Sequence, residues 1–325
     1  MEPQSKRAGI RAVHSVHNFV VSVPDLAEAQ AFYTAFGLDV RRSGNRLALH
    51  TFGHPHAWGQ VVQGAGVKRL QYLSFGLFAE DLADFEREID ARGLRTGPHP
   101  TSDGSGGSGT RDTRDIWLQG PDGLAIQLVV AAKVAPSVRA VASMPVTPPG
   151  AGAAPARSKA GLVRPRRLSH LLMFASDVAA SIAFYRDVLG LKLSDHSGDG
   201  IAFMHGAHGS DHHLIALAKS AAGGLHHSSW DVGSVHEVGL GAENMKAQGH
   251  DRGWGLGRHV LGSNYFYYVR DPWGSYAEYS YDIDFIPADL DWPAADHPPE
   301  DSFYVWGPQP PADFVTNYEH PAPSA

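Results

Sequence analysis

The chain has 325 residues, 43% of them hydrophobic and 10% aromatic, which is enough for two domains with their own cores. Its net charge of -7 and its lack of a basic block argue against a nucleic-acid partner, and no stretch approaches the ~20 apolar residues of a membrane span. The absence of cysteine excludes disulfides, thiolate metal sites and a cysteine nucleophile. We therefore expect a cytoplasmic protein without a membrane partner.

An internal repeat organises the chain. Each copy has an apolar strand, an Asp turn, a helix ending in "AFY", and "GL" before further strands. The matching segments are "VHNFVVSVPDLAEAQAFYTAFGLDV" (16–40) with "SHLLMFASDVAASIAFYRDVLGLKL" (169–193), "LQYLSFGL" (70–77) with "LHHSSWDV" (225–232), and "GPDGLAIQL" (120–128) with "DPWGSYAEY" (271–279). Second helices are predicted over 81–93 and 234–249.

A Pro-, Ala- and Gly-rich stretch separates the two copies and is typical of a linker. We predict an N-terminal module pair at 10–132, a linker at 133–165, a C-terminal module pair at 166–283 and a tail at 284–325.

Thirteen of the nineteen histidines lie at or after His170, so the second copy is where a metal site is expected. His170 begins an apolar strand. Of the pair His226 and His227, at most one faces the same site, because side chains alternate along a strand. The register of the repeat selects His227, and Glu278 lies within the later strand "YAEYSY".

Taken singly, each of these residues has an ordinary structural interpretation as a core or surface side chain. The first copy, however, carries Asn18, Tyr72 and Gln127 at the three matching positions. All three candidate ligands are thus present in one copy and absent from the other. The C-terminal module pair is predicted to bind the metal and the N-terminal pair to lack metal ligands.

Two imidazoles and one carboxylate leave open coordination positions, an arrangement typical of a non-haem Fe(II) centre. Mn(II) or zinc could occupy the same ligands, and zinc is redox-silent.

The hairpin around "DPWG" brings further polar groups to this strand. If Gly274 is left-handed within a three-residue loop, Asp271 pairs with Ser275 and Tyr268 falls opposite Glu278. The phenol would then lie on the same face as the carboxylate.

The duplicated βαβββ pattern, with "SHLLMF", "LHHSSW" and "GRH…YFYYVRDPWGSYAEY", resembles the vicinal oxygen chelate superfamily and, within it, the type I extradiol ring-cleaving dioxygenases. The resemblance extends from about residue 12 to 310. It implies an α+β fold of two tandem domains, each of paired βαβββ modules that form open barrel-like sheets. It also implies a homo-oligomer and a tail that covers the site.

The resemblance implies roles for the site residues as well. His170, His227 and Glu278 would bind Fe(II), with Mn(II) as the alternative, and the partners would be a catechol and O2. Family spacing assigns proton transfer to His213, fourteen residues before His227, with His212 as a competitor. His259 and Tyr268 would hydrogen-bond the substrate oxygen, and the product would be of the muconic semialdehyde type.

The tail resembles that of the homoprotocatechuate enzymes, which hold a substrate carboxylate with arginines. Here Trp254, Ser302 and Phe303 stand at those places. A buried carboxylate without a cationic partner is costly. We therefore predict an uncharged alkyl- or aryl-substituted catechol, with Trp254 and Phe303 in the pocket wall.

Two other functions share the module. Glyoxalase-like metal-dependent lyases or isomerases usually build a site across two modules, and binding proteins of the bleomycin-resistance type need an apolar cleft but no ligands. Neither explains why His213, His259 and Tyr268 occur in register with the three candidate ligands.

Overall fold

The computed structural model describes residues 5–102, 115–142 and 147–320. Four residues of the predicted linker and the last five of the predicted tail lie outside these ranges. Within them, no helix is long and apolar enough to cross a membrane.

The first copy contains a strand, a helix and three strands, followed by a strand, a helix and two strands. In chain order the elements are Ser15–Val23 (β1), Leu26–Ala35 (α1), Asp39–Ser43 (β2), Arg46–His50 (β3), Ala57–Gln63 (β4), Arg69–Leu77 (β5), Leu82–Ala91 (α2), Ile116–Gln119 (β6) and Ala125–Val130 (β7).

The second copy keeps this order but has one extra strand in each half, and the tail adds three short strands. Its elements are Arg167–Ala175 (β8), Val178–Asp187 (α3), Lys192–Ser197 (β9), Ile201–His205 (β10), Ser210–Asp211 (β11), Ile215–Lys219 (β12), Gly224–Asp231 (β13), Val235–Ala247 (α4), Gly253–His259 (β14), Tyr265–Arg270 (β15), Tyr276–Tyr281 (β16), Phe285–Ile286 (β17), Ala295–Asp296 (β18) and Tyr304–Trp306 (β19).

Two mixed sheets share one internal plan. The first has the order β2-β3-β4-β1-β5-β7-β6 and the second β18-β9-β10-β12-β8-β13-β16-β15-β14-β19, with β11 and β17 forming a separate pair. At the centre of each, two antiparallel strands (β1 with β5, β8 with β13) are each flanked by a parallel strand. The predicted α+β class and the duplicated module are confirmed.

The helices begin where polar side chains cap them. Asp25 accepts hydrogen bonds from the backbone N of Ala27 and Glu28 at the start of α1. Asp177 and Ser234 cap α3 and α4 in the same way. A side-chain acceptor satisfies backbone N–H groups that have no partner within the helix.

The two copies pack through a shared core. The rings of Phe36 and Tyr279 stack with centroids 4.0 Å apart, and the Tyr279 hydroxyl donates to the Phe36 carbonyl at 2.8 Å. Lys68, just before β5, forms a buried ion pair with Asp271 in the "DPWG" turn. The hairpin of the second copy is therefore anchored by the first.

Both copies carry two β-bulges at equivalent positions. In the second copy the pairing of β8 with β13 skips Ser169 and His226, and in the first the pairing of β1 with β5 skips His17 and Gln71. A bulge inserts one residue and redirects its side chain. Ser169 and His226 directly precede the predicted ligands His170 and His227.

Candidate metal centre

Strand pairing places the three predicted ligands on one face. His170 of β8 and Glu278 of β16 both pair with Ser229 of β13. His227 lies two residues before Ser229 and so points to the same side. Nε2 of His170 and Nε2 of His227 lie 3.3 and 3.5 Å from Oε2 of Glu278. All three ligand atoms lie within 4.8 Å of one another.

The donor set fits a divalent cation. Among the described residues, Nε2 of His227 and Oε2 of Glu278 are buried and have no hydrogen-bond partner. Buried polar atoms are rarely left unsatisfied, because the loss of water is then uncompensated. Two imidazole nitrogens and a carboxylate oxygen suit iron, manganese or zinc.

Glu278 is held as a carboxylate. Burial raises its pKa, but the neighbouring histidines, His170 first among them, lower it further, so that the pKa lies below its usual value. Nδ2 of Asn264 donates to Oε1 of Glu278 at 3.1 Å and to Oγ of Ser280 at 3.0 Å. Asn264 thus holds one carboxylate oxygen and leaves the other for the centre.

A backbone carbonyl in the tail sets the tautomer of His227. Nε2 of His226 lies 2.7 Å from the Phe314 carbonyl, which only accepts, so Nε2 of His226 carries the proton. Nδ1 of the neutral His226 then accepts from Nδ1–H of His227 at 2.7 Å. Nε2 of His227 is left as a lone pair directed at the centre.

A series of side-chain hydrogen bonds sets the tautomer of His170. Oγ of Ser169 donates to Oδ2 of Asp211 at 2.9 Å and lies 3.2 Å from Nδ1 of His170. Because the hydroxyl hydrogen goes to Asp211, the oxygen accepts from Nδ1–H of His170. Arg167 binds both oxygens of Asp211, at 2.6 and 3.2 Å. Nε2 of His170 therefore carries no proton, and its lone pair is free to bind a metal ion.

His213, and not His212, lines the cavity beside the ligands. Its ring centroid is 4.0 Å from that of His170. His212 faces the other way, with Nε2 2.9 Å from Oδ2 of Asp195. Burial, followed by the neighbouring histidines, lowers the pKa of His213 well below its usual value, so that it is neutral near pH 7.

The hairpin has the predicted register. Tyr268 pairs with Glu278, Gly274 has φ +103°, and the backbone N of Asp271 donates to the Ser275 carbonyl at 2.8 Å. Tyr268 therefore lies beside the centre, with its ring centroid 5.0 Å from that of His227.

Tyr268 and His259 form a hydrogen-bonded pair. Nδ1 of His259 is 2.8 Å from the Phe303 carbonyl and must donate to it, so Nε2 accepts from the Tyr268 hydroxyl at 2.9 Å. Burial lowers the pKa of His259 and raises the pKa of Tyr268 well above its usual value. The pair is therefore neutral, and the phenol oxygen keeps its capacity to accept a hydrogen bond.

A cavity of about 520 Å³ opens onto the centre. Its apolar wall consists of Leu172, Ile201, Phe203, Ala218, Leu261, Phe303, Phe314 and Val315. No arginine of the described residues lines it, and its one lysine, the exposed Lys219, donates to the Ser176 carbonyl at 2.7 Å.

Two expectations about individual side chains need correction. Trp254 is not among the lining residues: its ring stacks on Tyr268 at 5.6 Å, and Nε1 donates to the Pro308 carbonyl at 2.7 Å, so it lies behind the wall. The strict alternation predicted for His226 and His227 also fails. The bulge at His226 brings both rings to the cavity side, with centroids 5.0 Å apart.

Sequence reasoning missed the residues that hold the ligands in place. Asn264 and the Phe314 carbonyl carry no sequence signal, because their contacts depend on the tertiary fold. The first histidine of each "HH" pair, His212 or His226, is called the outer histidine and the second the inner one. The outer histidines did carry a sequence signal, because two such pairs occur within sixteen residues, from His212 to His227.

Fold and site together define a duplicated-module protein with a two-histidine, one-carboxylate metal centre. Residues 167–279 match the model of the Glyoxalase/Bleomycin resistance protein/Dioxygenase superfamily. The chain is 47% identical over 308 residues to metapyrocatechase 2 of Cupriavidus necator, covering 95% of this chain and 93% of that protein. It belongs to the extradiol ring-cleaving dioxygenases, a metal-dependent enzyme family.

Two further similarities are weaker. A manganese-dependent 2,3-dihydroxybiphenyl 1,2-dioxygenase of Geobacillus genomosp. 3 is 27% identical over 88 residues, or 27% of this chain and 28% of that protein. The crystallised homoprotocatechuate 2,3-dioxygenase of Brevibacterium fuscum has a TM-score of 0.74 at 19% identity, covering 98% of this chain and 95% of that chain. The latter likeness supports the fold alone.

Proposed function

We propose that this enzyme cleaves the ring of a catechol next to its two hydroxyl groups with O2, giving a muconic semialdehyde-type product. The observation that carries the proposal is the convergence of three buried ligand atoms, two of them without a partner, on a cavity that also holds His213 and Tyr268. A surface or core role would not require this convergence.

His170, His227 and Glu278 would hold the metal, with Fe(II) as the proposed ion and Mn(II) as the alternative. When bound, such an ion supplies a template for both catechol oxygens and a path for electrons from the ring to O2. The two tautomer-setting contacts, from Ser169 and His226, keep the imidazole lone pairs directed at it.

His213 would move the protons. It is neutral and lies within the cavity, so it can accept a proton from a catechol hydroxyl and return it later in the reaction. Tyr268 and His259 would bind a substrate oxygen. The Tyr268 hydroxyl donates to His259, and its oxygen accepts from the substrate hydroxyl.

We propose an uncharged, alkyl- or aryl-substituted catechol as the substrate. The cavity wall beyond the centre is formed largely by aliphatic and aromatic side chains, with Phe303 among them. A substrate carboxylate bound against this wall would lose its water without gaining a fixed cationic partner, because Lys219 is exposed and engaged by Ser176.

The test is a comparison of kcat/KM for 3-methylcatechol, 2,3-dihydroxybiphenyl and homoprotocatechuate, with each product identified by its absorbance and mass. We expect at least about a hundredfold preference for the two uncharged catechols, because an unpaired buried charge costs several kcal/mol. Ring cleavage between the hydroxyls, or no cleavage of any catechol, would contradict the proposal. In the second case a lyase or isomerase activity would be the next to assay.

The homo-oligomer and the cytoplasmic location expected from the sequence stay predictions. Size-exclusion chromatography with light scattering would decide the first.

A further inference from the structure

His212 contacts the cavity-lining His213, and Asp195 contacts His212. Nε2 of His212 is 2.9 Å from Oδ2 of Asp195, and Nδ1 of His212 is 3.1 Å from Nδ1 of His213. His212 is 1% exposed and His213 is 3% exposed. The proposed reaction assigns a role to His213 but leaves the other two residues unexplained.

The donors and acceptors in this series of contacts constrain the position of each proton. Burial raises the pKa of Asp195, but hydrogen bonds from His212, His297 and the Ala295 backbone lower it to about 2, so the side chain is a carboxylate. A carboxylate only accepts, so Nε2 of His212 donates to Asp195. In the contact between the two Nδ1 atoms one nitrogen donates and the other accepts; with Nδ1 of His212 as the acceptor, Nδ1 of His213 donates and Nε2 of His213 is left as a lone pair.

The same carboxylate binds the tail. Trp292 Nε1, the backbone N of Ala295 and Nε2 of His297 donate to Asp195 at 3.2, 3.0 and 3.0 Å. The arrangement repeats that of His226 and His227. In both pairs an outer histidine, fixed through Nε2, contacts the inner histidine through Nδ1, and the tail takes part in the anchoring.

We propose that Asp195 and His212 are positioning residues for His213: together they hold it in the Nδ1–H tautomer, so that Nε2 faces the substrate as a proton acceptor. The contact of the tail with Asp195 would then be coupled to the tautomer of His213 and so to its capacity to accept a proton at Nε2. The kinetic part of this inference rests on the proposed function, whereas the tautomer itself does not.

Asp195→Asn tests the proposal with little change of shape. The Ala295 backbone N is a fixed donor, so the amide oxygen of the substituted side chain stays on it and the NH2 faces His212. His212 then accepts at Nε2 and donates from Nδ1, which moves the proton of His213 to Nε2. A comparable Asp→Asn change at a catalytic histidine of the serine proteases leaves geometry intact and imposes the wrong tautomer.

The first readout is the tautomer of His213, measured by 15N NMR of histidine-labelled protein loaded with zinc. Zinc is redox-silent, and the measurement needs no catechol. We expect Nε2 of His213 to give an unprotonated-nitrogen signal in the wild type and a protonated one in Asp195→Asn. His213→Gln identifies the signal by its loss. An unchanged signal in Asp195→Asn overturns the proposal.

The second readout is turnover of the iron-loaded enzyme. Asp195→Asn should lower kcat by about 10–100-fold, with KM changed less than about twofold. Asp296→Asn is the matched control, because Asp296 accepts from the Gly198 backbone N at 2.8 Å at the same junction between tail and sheet. An equal loss in Asp296→Asn would assign the effect to tail anchoring and overturn the proposal.

A second pair of variants covers the case in which Asp195→Asn does not fold. His212→Asn keeps an oxygen near the position of Nδ1 and should retain more of the wild-type kcat than His212→Phe, which keeps the ring but has no acceptor. Equal kcat in the two variants would overturn the proposal. A wild type that cleaves no catechol would refute the proposed function, and the 15N signals would still decide the tautomer.

Discussion

Replacing Lys68 by methionine should destabilise the fold at the hairpin that carries Tyr268 and Glu278. The Lys68 and Asp271 side chains are 3% and 1% exposed, so the ion pair is shielded from water. Asp271 also accepts from the backbone N of Trp273 at 2.9 Å and so shapes the "DPWG" turn. Lys68→Met leaves this carboxylate buried without its cation, at a cost of about 3–5 kcal/mol.

Urea unfolding followed by tryptophan fluorescence measures this cost. With an m-value of about 3 kcal/mol/M, the midpoint should fall by about 1–1.7 M. Lys6→Met is the matched control, because Lys6 pairs with Glu80, whose side chain is 62% exposed, and water screens such a pair so that its loss should leave the midpoint nearly unchanged. The double variant Lys68→Met with Asp271→Asn should recover part of the loss. Equal midpoints for the two lysine variants would refute this reasoning.

Three further predictions concern catalysis, specificity and acid stability. Tyr268→Phe removes the hydroxyl that His259 holds and should lower kcat by about a hundredfold with unchanged metal content, measured by steady-state kinetics and elemental analysis. Ser302→Arg, at a cavity-lining position, should raise kcat/KM for homoprotocatechuate by about tenfold or more, whereas Ser302→Ala should not. Burial lowers the pKa of His14 to about 3. The unfolded chain therefore binds more protons below about pH 6.5, and stability present above that pH is lost as the pH falls towards 3, by on the order of 5 kcal/mol for this group. Urea midpoints should fall less steeply with acid in His14→Gln, and parallel curves would contradict the assignment.

The sequence predicted the features that follow from local patterns. The repeat predicted the order of the strands. Its register matched His170, His227 and Glu278 with Asn18, Tyr72 and Gln127 of the first copy and so grouped them as one set of ligands. The turn chemistry of Gly274 predicted the pairing of Tyr268 with Glu278, which the structure confirms. These features depend on a period of two along a strand and on one well-defined turn.

Features that depend on bulges or on the tail were not predictable in this way. Alternation fails at His226 because one extra residue lies in β13. Trp254 was expected in the wall, but Phe303 and Phe314 of the tail pack against it, with ring centroids 4.8 Å from its own in each case. The contact of Asp195 with the tail joins residues about a hundred positions apart, which no local pattern encodes.

The most direct test of the central claim is oxygen uptake by protein loaded anaerobically with Fe(II), measured together with formation of ring-opened product from 3-methylcatechol. We predict one O2 consumed per product molecule in the wild type, and neither bound iron nor uptake in His227→Ala or Glu278→Gln. Iron binding that survives both substitutions, or bound iron without oxygen uptake, would contradict the account.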